Sequence, residues 1–464
     1  CALPISTFNS GTVKRTVDLN GHTWTCTGTD ANSAAFEINY PDASLTVKNG
    51  KVVSSQLVGL IPSAMGGTIK YDNSSLVFDG VEMTTTAHSG IETNGNNTND
   101  TVTLKNSTLN VPNGFGIYFP SSGTLTIDNS KINAQTMGVQ VCAGSLNISG
   151  ADTAITVSGD GIPKTINDGA IEDGAAISIV NRAGYKDLAE IKVEGGKFTA
   201  KGDNAAVKAY DWANQTENAF TQSDKVSISG GTFSSAVDKS LCADGYIPTQ
   251  NADGTYGVKE GKYVAEIGSQ GYESLQEAIG AAQDGQTVRL LADVTLDAQI
   301  ATGKAITIDG QSKYTIKAVK KLVSADNKAG MFYRTQSAKG TLTFLNVTLD
   351  GGGFSKIFLN EGGAGETVFD GVTSTNGGGI AYGSGIHISG GGSHATIRNS
   401  TLTGSTGTME LNDANYYAAN DLWVGGNVYV TVENSVIGTV FVNSAPSATA
   451  TNGVVHGQLT ITGE

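Results

Sequence analysis

One strand-like phrase recurs along the chain and constrains its fold more than any other feature. Each copy alternates apolar and polar residues over four or five positions and is followed by Asn or Gly, the pattern of a short half-buried strand that ends in a turn. Copies return roughly every 20 to 36 residues, a period typical of solenoids. Six clear copies lie at residues 44–50, 75–80, 124–130, 225–231, 341–346 and 395–400.

A second short strand accompanies many of these copies. It begins with a small residue and continues with alternating apolar positions, as at residues 90–93, 114–119, 138–142, 176–180, 206–210 and 385–389. Like phrases that recur at a distance are expected to stack on one another in parallel, whereas a sandwich would need hairpin signals between neighbouring strands. The sequence therefore predicts an all-β chain in which two or three strands form each coil of a parallel β-helix.

The Asn and Gly residues after the strands have a physical role in such coils. A coil bends sharply between its faces, and Asn and Gly reach the required left-handed conformation at low cost. We also expect Asn106, Asn129, Asn399 and Asn434 to stack and to bond one another's side-chain amides. These asparagines are interpreted as structural.

The repeat is interrupted near residues 236–300. Asp253-Gly254 is a hairpin signal, and residues 274–283 form the clearest helix pattern of the chain, with Ser274 as N-cap and Glu277 completing a capping box. The sequence predicts a first β-helix at 1–240, a hairpin or linker at 241–261, and a second β-helix at 262–464. The helix would cover the open end of the second core.

Charge and composition exclude several partners. The chain of 464 residues has a formal net charge of -14 and a pI of about 4.8, so its surface should repel nucleic acids and anionic membranes. It has no apolar run of about 18 residues that would span a membrane. We expect no nucleic-acid partner and no membrane insertion within this segment.

The sequence predicts no cofactor. The four cysteines are dispersed without a CxxC pair, which indicates neither a zinc site nor a disulfide framework, and Cys142 is interpreted as a small core residue. Calcium is possible in an acidic β-helix, but the glycine-rich nonapeptide array that binds it is missing. We expect the chain to be part of a longer protein, with Cys1 either a lipidated residue or the start of a fragment.

Residues 272–295, with the sequence YESLQEAIGAAQDGQTVRLLADVT, resemble the opening unit of pectin-lyase-like right-handed β-helices, especially those in large surface proteins of Gram-positive gut bacteria. Residues 15–23 and 230–256 are similar to other recurring elements of these proteins. The resemblance implies two right-handed parallel β-helices in series and an extracellular place at the cell surface or cell wall. It implies no activity, because this scaffold carries lyases, hydrolases, esterases and adhesins. The signature segments of polygalacturonase-like and pectin-methylesterase-like members do not occur in the chain.

The strongest enzyme candidate lies within residues 410–423. Glu410, Asp413 and Asp421 are candidates for the pair of carboxylates that a glycosidase uses as acid and as base or nucleophile. Tyr416, Tyr417 and Trp423 are candidates for stacking on sugar rings. Sugar binding without catalysis, and a structural loop in which Asp421 forms an Asx-type turn, are the alternatives.

A second candidate is the pair Tyr210 and Trp212, interpreted as aromatic residues of an inserted loop that contacts a ligand or covers the flank of a coil. The five histidines form no HxH or HExxH motif, and His387 and His394 are interpreted as solvent-facing strand residues rather than metal ligands.

Three functional hypotheses remain open. The first is a cell-surface adhesin or stalk module whose loops bind host or dietary glycans or a host surface glycoprotein. The second is a β-helix glycoside hydrolase or polysaccharide lyase that uses Glu410, Asp413 and Asp421. The third is a purely structural spacer.

Overall fold

The chain divides into two compact units, Cys1–Gly261 (unit 1) and Lys262–Glu464 (unit 2). The computed structural model describes residues 13–30, 32–63, 68–162, 169–324, 328–362, 365–378, 385–389, 392–406, 420–426, 428–446, 454–456 and 458–462. Within these ranges nearly all regular structure is β, with one α-helix, Leu275–Ala281, and 3-10 turns at Ser223–Lys225 and Lys239–Leu241.

The strands of unit 1 form a sixteen-stranded sheet, here the long sheet, and an eight-stranded sheet, here the narrow sheet. The long sheet contains Lys14–Asp18, Thr23–Cys26, Ser44–Ser54, Ser75–Thr85, Thr101–Lys105, Thr108–Val111, Thr124–Asp128, Lys131–Ala134, Gly144–Ser149, Ala154–Val157, Leu188–Val193, Lys197–Thr199, Val226–Ile228, Thr232–Phe233, Tyr246–Gln250 and Tyr256–Glu260. The narrow sheet contains Ala34–Glu37, Leu57–Ile61, Ser89–Thr93, Phe115–Phe119, Met137–Val141, Ile177–Arg182, Val207–Ala213 and Thr216–Asn218.

Unit 2 has three sheets among its described residues. The first contains Ala265–Ile267, Gln270–Tyr272, Thr287–Leu290, Thr307–Asp309, Leu342–Leu345, Glu366–Asp370, His394–Arg398, Tyr429–Glu433 and Gln458–Thr462. The second contains Val294–Leu296, Thr315–Ala318, Thr348–Asp350, Thr373–Thr375, Thr401–Leu402 and Val436–Ile437. The third contains Ile300–Thr302, Phe332–Arg334, Phe358–Asn360, Ile386–Ser389, Leu422–Gly425, Val440–Pro446 and Val454–His456.

The strands stack in parallel with like residues on like, as the repeated phrase predicts. In unit 1, Leu45 pairs with Leu76, and Leu76 pairs with Val102. These apolar side chains are almost fully buried in one continuous core, while the polar residues between them face outward. Because strands distant in sequence pair in parallel, each unit is consistent with a β-helix-like fold.

The asparagines at the coil corners have the predicted left-handed backbone, for example Asn106 with φ 48° and Asn399 with φ 52°. The predicted ladder of amides at these positions is wrong. Asn106 donates to Asp79 at 3.4 Å, and Asn399 donates to Asp370 at 2.9 Å. A carboxylate on the neighbouring coil accepts these bonds, and hydrogen bonds to charged acceptors are stronger than those between amides.

Asn129 and Asn434 complete the predicted set of corner asparagines. Both have positive φ, and Asn129 donates to its chain neighbour Asp128 at 3.3 Å. Amide-to-amide bonds do form at other positions, between Asn133 and Asn110 at 2.8 Å. Stacked asparagines can therefore bond one another in this fold, and Asn99 donates to Asn73 at 3.2 Å at another corner, but Asn106 and Asn399 donate to carboxylates.

The helix of unit 2 begins where the sequence places it. The Ser274 hydroxyl accepts a hydrogen bond from the Glu277 backbone N–H at 3.1 Å, and Leu275, Ala278 and Ile279 are buried. The helix ends at Ala281, two residues before the predicted end. Extended backbone at Ala282 stops it.

The predicted hairpin consists of Tyr246–Gln250 and Tyr256–Glu260 in antiparallel register. Its second strand also pairs with Thr232–Phe233, so the hairpin is part of the long sheet of unit 1. Within the described ranges, no helix has the length and apolar character needed to cross a membrane.

Candidate functional site

In unit 1, another segment of the chain covers part of the outer face of the narrow sheet, a face that in many sheets is exposed to solvent. Strand pairing places Tyr118 between Glu92 and Gln140 in one row across the sheet. Gln140 is fully buried. Its side-chain amide donates to the Ile171 carbonyl and accepts from the Ile171 backbone N–H, each at 2.8 Å. Residues 169–176, here the covering segment, therefore lie against the outer face.

Two acidic side chains anchor the covering segment. The Glu172 carboxylate is buried, accepts a hydrogen bond from the Thr136 hydroxyl at 2.5 Å, and lies 2.9 Å from Nε2 of His88. Asp173 accepts hydrogen bonds from Ser178 at 2.6 Å and from Tyr210 at 2.9 Å, and burial raises the pKa of this carboxyl above its ordinary value. Buried carboxyl groups are stabilised by such donors, so the segment is fixed in place.

Beside the covering segment lies a cleft of about 620 Å³. One wall is the end of the strand Ser89–Thr93 and the turn that follows it, and the other is the turn after Ile177–Arg182. The cleft is lined by Glu92, Thr93, Asn94, Gly95, Asn96, Tyr118, Gly169, Gly184 and Tyr185.

Tyr118 and Tyr185 line the cleft, and the buried guanidinium of Arg182 packs beside both of them. The phenol oxygens of Tyr118 and Tyr185 lie 3.0 Å apart, and Nη1 of Arg182 donates to the Tyr118 hydroxyl at 3.3 Å and to the carbonyl of Gly169. The guanidinium also lies 4.9 Å from the centre of the Tyr185 ring. Burial raises the pKa of Tyr118 well above its ordinary value, so this phenol is neutral. Tyr185 is only half-buried and offers its ring to the cleft.

The glycines of the cleft leave room beside that ring. A Cβ atom on Gly95 would lie 3.5 Å from the Tyr185 ring, in ordinary van der Waals contact. A larger side chain at this position would therefore crowd the edge of the ring at Cε2. An aromatic face bordered by side-chain amides and backbone carbonyls suits a ligand that is flat, apolar on one face and rich in hydroxyl groups.

Tyr210 and Trp212, predicted to lie in an inserted loop, are in the strand Val207–Ala213. Their side chains are 2% and 6% exposed and pack in the outer cluster that Tyr118 also joins. The interpretation of these residues as part of a loop is wrong, because they belong to a strand. Thr216–Asn218 pairs with the end of this strand as an antiparallel hairpin. Neither aromatic residue lines the cleft.

Four residues of the strongest enzyme candidate, Glu410, Asp413, Tyr416 and Tyr417, lie outside the described residues. Asp421 is 4% exposed, and its carboxylate accepts hydrogen bonds of 2.9 Å from the backbone of Ser405 and from the backbone and hydroxyl of Thr439. The carboxylate therefore joins neighbouring coils rather than closing a local Asx-type turn.

Trp423 and His387 pack together in the third sheet of unit 2, with ring centres 4.2 Å apart. The expectation that His387 faces solvent is wrong, since it is 3% exposed. Its Nδ1 lies 2.8 Å from Nζ of Lys356, and its Nε2 lies 3.0 Å from the Ser389 hydroxyl. Burial lowers the pKa of Lys356 to about 8. His394, in contrast, is exposed and stacks on Tyr429.

Cys26, Cys142 and Cys242 are free thiols, and burial raises the pKa of Cys142 to about 12, which agrees with its interpretation as a core residue. No group of three or more His, Cys, Asp or Glu side chains in the described ranges is arranged to hold a metal ion.

The cleft residues were not predicted from the sequence. Glu92 and Tyr118 occur in companion strands that were interpreted as structural. The strand Phe115–Phe119 could have indicated the site, because its sequence FGIYF places large residues on both faces. Such a strand is covered on both sides, and here the covering segment creates the wall of a cleft.

Comparisons with known proteins add little to this geometry. No family model matches the chain, and no curated protein matches it. Among solved structures, the chain is similar to a mutant of a PL6 family alginate lyase, with 10% sequence identity over 97% of this chain and 96% of that chain and a TM-score of 0.20. A TM-score this low supports no inference about fold, activity or substrate.

Proposed function

We propose that the protein is an extracellular cell-surface module that binds glycan chains in the cleft of unit 1. The observation that carries the proposal is the half-buried ring of Tyr185, which faces an open cleft beside the amides of Asn94 and Asn96. Sugar rings stack on aromatic faces through their C–H groups while their hydroxyls bond to amides and carbonyls. A rigid β scaffold that presents turns is a common support for such binding.

The wider proposal places this site in a surface adhesin. In this proposal each unit is a right-handed parallel β-helix, and the partner is a host or dietary glycan or a host surface glycoprotein. Support comes from the parallel stacking in each unit and from the net charge of -14, which disfavours nucleic acids and anionic membranes as partners.

A glycoside hydrolase or polysaccharide lyase is the weaker alternative. Of its three candidate carboxylates only Asp421 is among the described residues, and this side chain is buried and accepts three hydrogen bonds. A catalytic acid or base must reach the substrate. A structural spacer is the second alternative, and it predicts no glycan binding at all.

Tyr185→Ala tests the binding proposal. We expect it to weaken glycan binding by about tenfold, because it removes the stacking surface. Tyr185→Phe should retain most of the affinity, since it keeps the ring. The measurement is a glycan array followed by titration calorimetry on the whole chain.

Tyr429→Ala is the matched control, because Tyr429 is an exposed tyrosine of unit 2. It should bind as the parent chain does. Equal affinity of the Tyr185→Ala chain and the parent chain would contradict the cleft as the binding site. Absence of binding by the parent chain to every glycan on the array would favour the spacer.

A further inference from the structure

We propose that unit 1 has a second binding site, at which an extended, basic peptide segment of a partner protein adds as a strand to the free edge of the narrow sheet. This edge belongs to the strand Val207–Ala213. It lies in a groove that, among the described residues, shares no lining residue with the cleft beside Tyr185. The two sites are therefore distinct and can be tested separately.

The strand Val207–Ala213 is paired along one edge and only partly paired along the other. Its first edge pairs in parallel with Ile177–Arg182. Its second edge pairs with Thr216–Asn218, but this short antiparallel strand reaches only the last three residues of Val207–Ala213. Residues 207–210 of the second edge, here the free edge, have no strand beside them within the described ranges.

The free edge offers unpaired backbone groups. Successive residues of a strand direct their N–H and C=O groups to alternate edges. Ile177 donates to the carbonyl of Ala206 at 2.9 Å, so the groups of Ala206 and of every second residue after it face the first edge. The N–H and C=O groups of Val207 and Ala209 therefore face the free edge, where no other described residue bonds to them. Such groups are what an added strand needs for pairing.

The free edge is recessed in a groove of about 340 Å³. The groove is lined by Val207, Lys208, Ala209, Glu217, Phe220, Asp238, Ser240 and Leu241. The side chains of Val207, Ala209 and Phe220 pack against the core of unit 1 but are only partly buried. The four residues of the free edge span about 13 Å, since a strand rises about 3.3 Å per residue. A peptide with apolar residues at alternate positions would cover these side chains while its backbone pairs with the edge.

The charges at the groove favour a basic peptide. Glu217 and Asp238 are exposed and line the groove. Lys208 also lines it, but strand pairing places this side chain beside Ser178 on the outer face, where its ammonium interacts with the carboxyl group of Asp173. A lysine or arginine of the added strand would be attracted by the two exposed carboxylates, and each contact is worth about fivefold in affinity in water.

The test measures the binding of three peptides of about seven residues to the whole chain by titration calorimetry. The first alternates valine with lysine, the second has the same side chains but methylated backbone nitrogens, and the third has glutamate in place of lysine. We expect the first to bind. The second should bind at least tenfold more weakly, because it lacks the backbone donors, and the third at least fivefold more weakly.

Ala209→Pro removes a backbone N–H from the free edge. The fold should tolerate it, because this N–H has no partner among the described residues and proline is accepted at sheet edges. The lysine peptide should bind this variant at least tenfold more weakly. Ala151→Pro is the matched control, since Ala151 is exposed and is the second residue of a turn in which Thr153 donates to Gly150, a position that favours proline.

Glu217→Lys should weaken binding of the lysine peptide and strengthen that of the glutamate peptide, while thermal unfolding stays unchanged. Equal binding of the lysine peptide to the parent chain and to Ala209→Pro would overturn the site, and so would equal binding of the methylated peptide or no binding of any peptide. If sedimentation shows that the parent chain self-associates and Ala209→Pro does not, the groove is an interface between copies of the chain, and the partner protein is excluded.

Discussion

At the scale of single residues, the corner asparagines have two roles that can be separated. Asn399 has a φ of 52°, which costs most side chains about 1–2 kcal/mol. Its side chain also donates to Asp370 at 2.9 Å, and Arg398 donates to the other oxygen of the same carboxylate at 2.8 Å. The bond from Asn399, followed by that from Arg398, lowers the pKa of Asp370 below its ordinary value. The corner is thus held by both backbone conformation and charge.

Asn399→Ala should lower the free energy of unfolding of unit 2 by about 2 kcal/mol, since it loses the hydrogen bond and places Ala in the left-handed region. Asn399→Gly should lose only about 1 kcal/mol, because Gly adopts this backbone at little cost. Urea denaturation measures both. Equal losses in the two variants would show that backbone conformation contributes nothing at this corner.

The burial of Lys356 and His387 could not be predicted from the residues that flank them in the sequence. In the sequence GIHIS, alternation cannot tell whether the histidine faces the core or solvent. Burial of His387 depends on Trp423 from the next coil and on Lys356 from the preceding one. These residues are 36 and 31 positions away in the sequence, and only stacking of the coils brings them together.

At the scale of elements, the helix Leu275–Ala281 of unit 2 is capped at both ends by side chains. Ser274 caps its N-terminus, as its sequence predicts. At the other end, Nζ of Lys304 donates to the carbonyls of Ile279, Gly280 and Ala282. These carbonyls would otherwise have no intrahelical partner, and a cation is favourable at this end of a helix.

Lys304→Met keeps most of the apolar stem and removes the ammonium. We expect a loss of about 1–3 kcal/mol in the stability of unit 2, together with faster hydrogen exchange in the last turn of the helix. Lys320→Met is the control, because Lys320 is an exposed lysine of the same unit. If both variants unfold at the same temperature, the cap contributes nothing measurable.

The strands of the narrow sheet show why the cleft could not be predicted. Their inward residues follow the expected pattern, with Ile117 and Val139 stacked in the core. The outward residues Gln140 and Ser178 are buried beneath the covering segment, which has no regular secondary structure among its described residues. Gln140 holds that segment by hydrogen bonds to the backbone of Ile171. The alternation of side chains along a strand does not indicate which backbone groups bond to it.

At the scale of the whole molecule, a buried acid of unit 1 should make the stability of that unit depend on pH. In unit 1, Asp100 is fully buried, and its Oδ2 has no hydrogen-bond partner among the described residues. Burial raises the pKa of this carboxyl to about 7. Because the folded state favours the protonated acid, its contribution to stability is complete below pH about 4 and is lost as the pH rises to about 7.

Asp100→Asn should therefore stabilise unit 1 at pH 8 and flatten its pH dependence between pH 5 and pH 8. Calorimetry of the whole chain at several pH values measures the unfolding temperature of each transition. The transition of unit 2 is the internal control, since the substitution lies outside that unit. An unfolding temperature that falls equally at pH 5 and pH 8 would contradict a buried acid that titrates near neutrality.

Sequence alone was enough to predict the strands, the corner asparagines and the start of the helix, because each depends on residues close together in the chain. Period-2 alternation identifies a half-buried strand, and a repeated phrase stacks on its own copies. The tertiary structure alone decided which outward faces are covered. It buried Tyr210, Trp212 and His387, and it joined Glu92 to Tyr185 in one cleft. Those outcomes depend on contacts between coils, which local pattern does not encode.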